Sequence, residues 1–228
     1  GIAWIPLGLF IFGVGDVLFT EGAPADVWWV LVSGRVELVR HVGLEETRLG
    51  VMEAPGGEPN FKYPGWSFEF DRGDEGNQFK LDETMEADAL LLGRITYESF
   101  AGAWPSRDGE FADKFNTMPK FVVSSTLDDP DWNNTTVLKG DAAEEAIRLK
   151  DELDGVIQVP GSLRLVQALM EADLVDQLNL MVFPVALGTG RRLFAEMDDR
   201  KDWKLAESRP VGPDGVIVLT YERDRKRY

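Results

Sequence analysis

The stretch ALLLGRITYESFAGAW, Ala89–Trp104, decides how the chain folds. ALLLG has no polar side chain, as expected of a short strand covered on both faces. RITYESFAGAW follows without a break and reads as a helix. A strand that runs directly into a helix begins a crossover unit, and the same texture continues on either side. Upstream, DEGNQFKLDETMEAD (74–88) spaces Phe79, Leu81 and Met85 between charges, an amphipathic helix. Downstream, KFVVSST (120–126) is a strand and DAAEEAIRLKDEL (141–153) a helix. That helix has Asp141 as its N-cap, acids in its first turn and basic residues later, an order that suits the helix dipole. GVIQVPG (155–161), SLRLVQALMEAD (162–173) and DQLNLMVFPVALG (176–188) read as strand, helix and strand. DWKLAESRPVGPDGVIVLTYER (202–223) closes as a hairpin turned at GPDG. Strands separated by helices imply mostly parallel pairing with a final antiparallel pair, an α/β class.

Before residue 50 the texture differs. DVLFTEG, DVWWVLVSG, RVELVRHV and ETRLGVM are short β-rich runs bounded by turn residues, and together they predict a small antiparallel meander over 16–51. LGVMEAPGGEPN (49–60) lies between the two textures and reads as a seam. The opening GIAWIPLGLFIFGVG lacks the basic start of a signal peptide, is broken by Pro6 and four glycines, and is expected to be a partly buried beginning and no membrane span.

The formal net charge of −16 opposes unspecific binding to nucleic acid or anionic membranes while leaving room for a small anion in a local pocket. The absence of cysteine removes disulfides, thiolate catalysis and thiolate-bound zinc, and fits a cytoplasmic protein. The single histidine, His41, rules out a multi-histidine metal site, so no metal is expected.

In an open parallel sheet, ligands gather beyond the carboxyl ends of the strands. Three such ends suit phosphate. At the first, Gly93 permits close backbone approach, Arg94 offers a fixed cation, and Thr96 adds a hydroxyl near a helix start. The second carries Ser124 and Ser125. At the third, Gly161 and Ser162 form a tight strand-to-helix turn, with the N–H groups of Ser162 and Leu163 directed outward. Trp66, in FKYPGW, is a candidate wall for a substrate pocket. Asp74, Glu75, Asp82 and Glu83 are carboxylates from which a proton donor could come, and none is assigned.

Taken together, ADALLLGRITYESFAGAWP, KFVVSSTL and VPGSLRLVQALMEADLVDQLNLMVFPVALGTGRRLF resemble the dihydrofolate-reductase-like family that includes the reductase domain of bacterial riboflavin biosynthesis. The resemblance spans about residues 51–225, so a reductase domain is expected over 51–228. It implies NADPH as cofactor, with Gly93, Arg94 and Thr96 at cofactor phosphate and Ser124 and Ser125 on the adenosine side. Gly161, Ser162 and Leu163 fall under the pyrophosphate. It also implies hydride transfer to a pterin-like or aminopyrimidine-like heterocycle, a homodimer, and a structural role for the segment holding Gly188 and Gly190. The loop VMEAPGG would cover the nicotinamide.

GDVLFTEGAPADVWWVLVSGRVELVR (15–40) resembles the front half of a cyclic-nucleotide-binding β-roll over about residues 13–52, giving a partial β-roll domain over 1–50. The phosphate-binding cassette of that family is missing. The β-roll line also stands where the reductase family has an apolar first strand inside its sheet. Residues 46–52 are expected to take that place, because an empty position would leave backbone groups of its neighbours unpaired. The alternative is a chimeric or regulatory chain whose β-roll is a nucleotide-sensor remnant and whose catalytic site does not work.

Overall fold

The computed structural model of the chain describes residues 41–42, 45–46, 53, 55, 61–194 and 196–226. The chain separates into two compact units, Gly1–Arg48 and Leu49–Tyr228. In the first, strands β1 (His41–Val42) and β2 (Glu45–Glu46) pair antiparallel, with His41 opposite Glu46. The rest of the expected meander, and the β-roll resemblance carried by residues 13–40, lie outside the described residues. So do residues 47–52, all but the first residue of the 46–52 segment expected to replace the first strand; Glu46, in β2, pairs with His41.

The second unit contains two sheets. A 3-10 turn (Trp66–Glu69) precedes helix α1 (Gly73–Glu86). Strand β3 (Ala89–Gly93) leads into α2 (Arg94–Ala103), and α3 (Glu110–Thr117) into β4 (Lys120–Val123). Then come β5 (Thr135–Leu138), α4 (Ala142–Glu152), β6 (Ile157–Gly161) and α5 (Leu163–Glu171). β3, β4, β5 and β6 form a parallel sheet in the order β5-β4-β3-β6. β7 (Gln177–Val182), β8 (Trp203–Val211) and β9 (Val216–Arg223) form a separate antiparallel sheet in the order β7-β9-β8.

Side-chain alternation along β3 distributes the core. Leu90 and Leu92 point to one face, where they meet Tyr97, Phe115, Val122 and Trp132. Leu91 points to the other and packs with Leu138, Leu149, Leu165 and Leu169. All five residues of β3 are buried, which is why its sequence is continuously apolar. Helix α5 serves both sheets. Its Leu165 and Leu169 enter the core of the parallel sheet, while Met170 and Val166 pack with Leu178, Leu180 and Tyr221 of the antiparallel one. The opposite face of the antiparallel sheet is closed by Phe79 of α1 against Val211, Val216 and Val218.

The α/β class, the flanking helices and the closing hairpin are as the sequence indicates. GPDG turns the β8–β9 hairpin with Gly212 and Gly215 both at positive φ, 65° and 75°. Three features differ. β7 joins no parallel ladder among the described residues and pairs antiparallel with β9, Leu180 opposite Leu219. α3 and β5 have only 8 and 4 residues, too short to show a period. Met85, expected on the apolar stripe of α1, is 41% exposed.

Candidate active site at the strand ends of the parallel sheet

β3 and β6 are neighbours with Leu92 opposite Gly161, so their carboxyl ends and the helices that follow lie side by side. The contact there is close enough to exclude side chains. A Cβ on Gly93 would lie 2.3 Å from Ser162 Oγ, and one on Gly161 would lie 2.8 Å from Thr96 Oγ1. The peptide bond joining Gly161 to Ser162 is cis. A side chain at either glycine would have to displace the hydroxyl of the other turn, so the two strand-to-helix turns form one corner.

Both helices leave this corner without a side-chain cap. Gly93 is the N-cap of α2 and Ser162 that of α5, and among the described residues neither helix start receives a side-chain hydrogen bond. α4 is different: Asp141 accepts from the N–H groups of Ala143 and Glu144 at 2.9 and 3.3 Å. At α4 a carboxylate of the chain satisfies the first-turn donors. At α2 and α5 no described side chain takes those donors, and aligned peptide dipoles favour an anion at such a helix start. The corner gathers two helix starts, two glycines that let the turns approach each other, and the hydroxyls of Thr96 and Ser162, donor types that a phosphate group uses.

Arg94 pairs with Glu98 one turn along α2 at 2.6 Å, with its side chain 41% exposed. An exposed pair of this kind is weak enough for an incoming anion to displace. Leu163 packs into the cluster between α5 and the antiparallel sheet. Ser124 is buried, and its Oγ accepts from the N–H groups of Thr126 and Leu127 at 3.2 and 3.0 Å, shaping the turn after β4. Ser125 is exposed beside it. Trp66 is 7% exposed; its Nε1 donates to the Glu53 carbonyl at 3.0 Å, and its ring meets Phe183 edge-on at 5.2 Å.

Among the four carboxylates, Asp74 and Glu75 occupy the first turn of α1, where they suit the helix dipole. Asp82 accepts from Gln78 Nε2 at 2.7 Å. Glu83 is the least exposed, at 11%, and pairs with Lys80 at 2.5 Å. Each has a role within its own helix.

Sequence reading missed Lys120 and Glu53. Lys120 is fully buried at the amino end of β4, and burial pushes its ammonium down to about 8. A charged residue that opens a strand suits an exposed position; the carbonyls that cage this one lie two to thirteen residues away. Glu53 meets Arg191, and no local signal joins two residues 138 apart.

The arrangement is an α/β fold in which a helix-flanked parallel sheet is accompanied by a separate antiparallel sheet. The chain belongs to the RibD C-terminal domain family, whose model matches residues 50–217. The uncharacterized protein YwjB of Bacillus subtilis (strain 168) is 27% identical over 158 residues, covering 69% of this chain and 85% of that protein. A putative riboflavin biosynthesis protein from Shewanella sp. PV-4 superposes with a TM-score of 0.59 at 21% identity, covering 71% of this chain and 88% of that one. A pyrimidine reductase-like protein from Corynebacterium diphtheriae gives a TM-score of 0.51 at 16% identity, over 68% and 84% of the two chains. The match to the family begins at residue 50, so it does not extend over the β-roll-like segment. No helix among the described residues is long and apolar enough to cross a membrane.

Proposed function

We propose that the chain is an NADPH-dependent reductase that transfers hydride to a pterin-like or aminopyrimidine-like heterocycle. The observation that carries this reading is the corner where the uncapped starts of α2 and α5 meet across Gly93 and Gly161. Membership of the RibD C-terminal domain family and the likeness to a pyrimidine reductase-like protein support it. The nicotinamide supplies the hydride when the cofactor is bound, so the chain has only to bind and orient. Ser162 and Leu163 would offer backbone N–H groups to the pyrophosphate, Arg94 would exchange Glu98 for phosphate charge, and Thr96 would add a hydroxyl. Ser124 and Ser125 would border the adenosine end, with Trp66 on the substrate side. A homodimer and a cytoplasmic location belong to the same reading; light scattering on the eluted protein should give twice 25.5 kDa.

Titration with NADPH, followed by cofactor fluorescence, tests the reading. Saturable binding is expected in the parent protein, with a large loss in the Arg94→Ala/Ser162→Ala variant. No response in either protein would overturn it and favour the alternative, a joined chain without a working site. That alternative draws on one observation: the compact unit Gly1–Arg48 lies wholly before the family match at 50–217.

A further inference from the structure

The turn GTGR, Gly188–Arg191, has no task in the cofactor reading, yet it closes on a residue from the other end of the unit. Gly188 and Gly190 both take positive φ, 71° and 117°, and bring the chain round to Arg191. The Arg191 backbone N–H donates to Glu53 Oε2 at 2.9 Å, and its Nε donates to Glu53 Oε1 at 2.8 Å. Both carboxylate oxygens are thus held by one residue, a two-point grip that fixes orientation as well as distance.

Each side of this pair is anchored further. On one side, the Glu53 carbonyl accepts from buried Trp66, and the Pro55 carbonyl accepts from Ser67 Oγ at 2.7 Å. On the other, Gln167 in the second turn of α5 donates through Nε2 to the Arg192 carbonyl at 2.7 Å. Next to it, Leu193 is buried in the cluster that includes Leu163 and Val166 of the first turn of α5. A continuous path of contacts therefore runs from residues 53–55, through Arg191, to the helix start that forms half of the open corner.

We propose that Glu53 and Arg191 are positioning residues: their pairing joins the 53–55 segment to the first turns of α5 and sets the geometry of the anion-binding corner. The proposal rests on the NADPH reading for the ligand, and on the contacts alone for the clasp. It makes a prediction opposite in sign to simple electrostatics. Removing the Glu53 carboxylate from an acidic protein lowers repulsion toward an anion and should tighten NADPH binding. Loss of the clasp should weaken it.

The test compares Glu53→Gln, Arg191→Met and Arg191→Lys with the parent in NADPH titration and in amide hydrogen exchange over residues 65–68 and 190–193. Because Arg191 is 59% exposed, the expected effects are modest: a roughly twofold to fivefold higher Kd for Glu53→Gln and Arg191→Met. Faster exchange in both segments is expected alongside. Arg191→Lys keeps the charge and the backbone donor and should recover part of the affinity. Lys204→Met, which removes a cation on β8, serves as the charge control and should leave exchange in both segments unchanged. Equal or tighter NADPH binding by Glu53→Gln overturns the proposal. If the parent binds no NADPH, the cofactor reading fails on its own account; exchange then decides the clasp, and unchanged exchange in Glu53→Gln overturns it.

Discussion

The two ends of the parallel sheet treat polar groups in opposite ways. At the amino end, Lys120 is fully buried and its Nζ donates to the carbonyls of Asn116, Met118 and Asn133 at 3.3, 2.8 and 3.1 Å. It lies 4.5 Å from the centre of the Trp132 ring, and Trp132 is itself fixed by hydrogen bonds to Asn116 and the Tyr97 hydroxyl. All three ammonium protons have acceptors, so the end is closed. At the carboxyl end, two helices start without caps around two glycines. Complete pairing marks the end that holds the sheet together; donors that no described side chain takes mark the end proposed to bind a ligand.

The largest expected effect comes from opening the closed end. Lys120→Met keeps the apolar stem but leaves three carbonyls without their donor, and should lower stability by about 3 kcal/mol. Urea denaturation checks this, and a loss below about 1 kcal/mol would mean that water replaces the ammonium. The pH dependence has a defined sign. Burial puts the native Lys120 at about 8, below its ordinary 10.5, so the unfolded chain binds more protons between these values. Stability of the parent relative to Lys120→Met should therefore rise as pH increases from about 8 to 10.5, by at most about 3 kcal/mol. A flat difference over that window would show that the carbonyl cage keeps the ammonium charged throughout.

At the open end, Gly93→Ala places a methyl group 2.3 Å from Ser162 Oγ and should lower stability by about 1–3 kcal/mol while removing NADPH binding. The two residues touch, so their effects should not add. In a Ser162→Ala background the same change should be less harmful, because the clashing oxygen is gone and the atoms that remain, Ser162 Cβ and N, lie at 3.0 and 3.3 Å. Additive losses in the double-mutant cycle would show that Gly93 is required for another reason.

These contacts explain what the sequence could reveal. ALLLG announced a buried strand because burial on both faces leaves no polar position. Asp141 announced its helix because a cap acts on N–H groups two and three residues away. Signals of that range are written locally. The partner of β7 was not, because an apolar strand suits a parallel interior and an antiparallel sheet equally. Nor was the distinction among the serines. Ser124 and Ser162 both end strands, yet one hydroxyl shapes its own turn and the other faces Gly93 across the corner. Lys120 and the Glu53–Arg191 pair depend on contacts made only when distant segments are brought together.

Helix α4 offers the next smaller test of the comparison. Asp141→Ala removes its cap and should lower stability by about 1 kcal/mol, with no effect on NADPH binding, since α4 starts away from the β3–β6 corner. A change in cofactor affinity of more than about twofold would show that the ends of β5 and β6 act together.

The smallest expected change in stability is the most informative, because its effects on stability and binding have opposite signs. Ser162→Asp gives α5 the kind of cap that α4 already has. The carboxylate would accept from the first-turn donors and meet the positive end of the helix dipole, raising stability by roughly 0.5 kcal/mol. The same carboxylate would occupy the place proposed for phosphate and repel it, so NADPH binding should be lost. A capped α5 that still binds NADPH as tightly as the parent would remove the helix start from the site and leave the cofactor to α2 and Arg94. A capped α5 that is more stable and does not bind would show that the missing cap is a condition of binding, and that stability at this corner is exchanged for an open anion site.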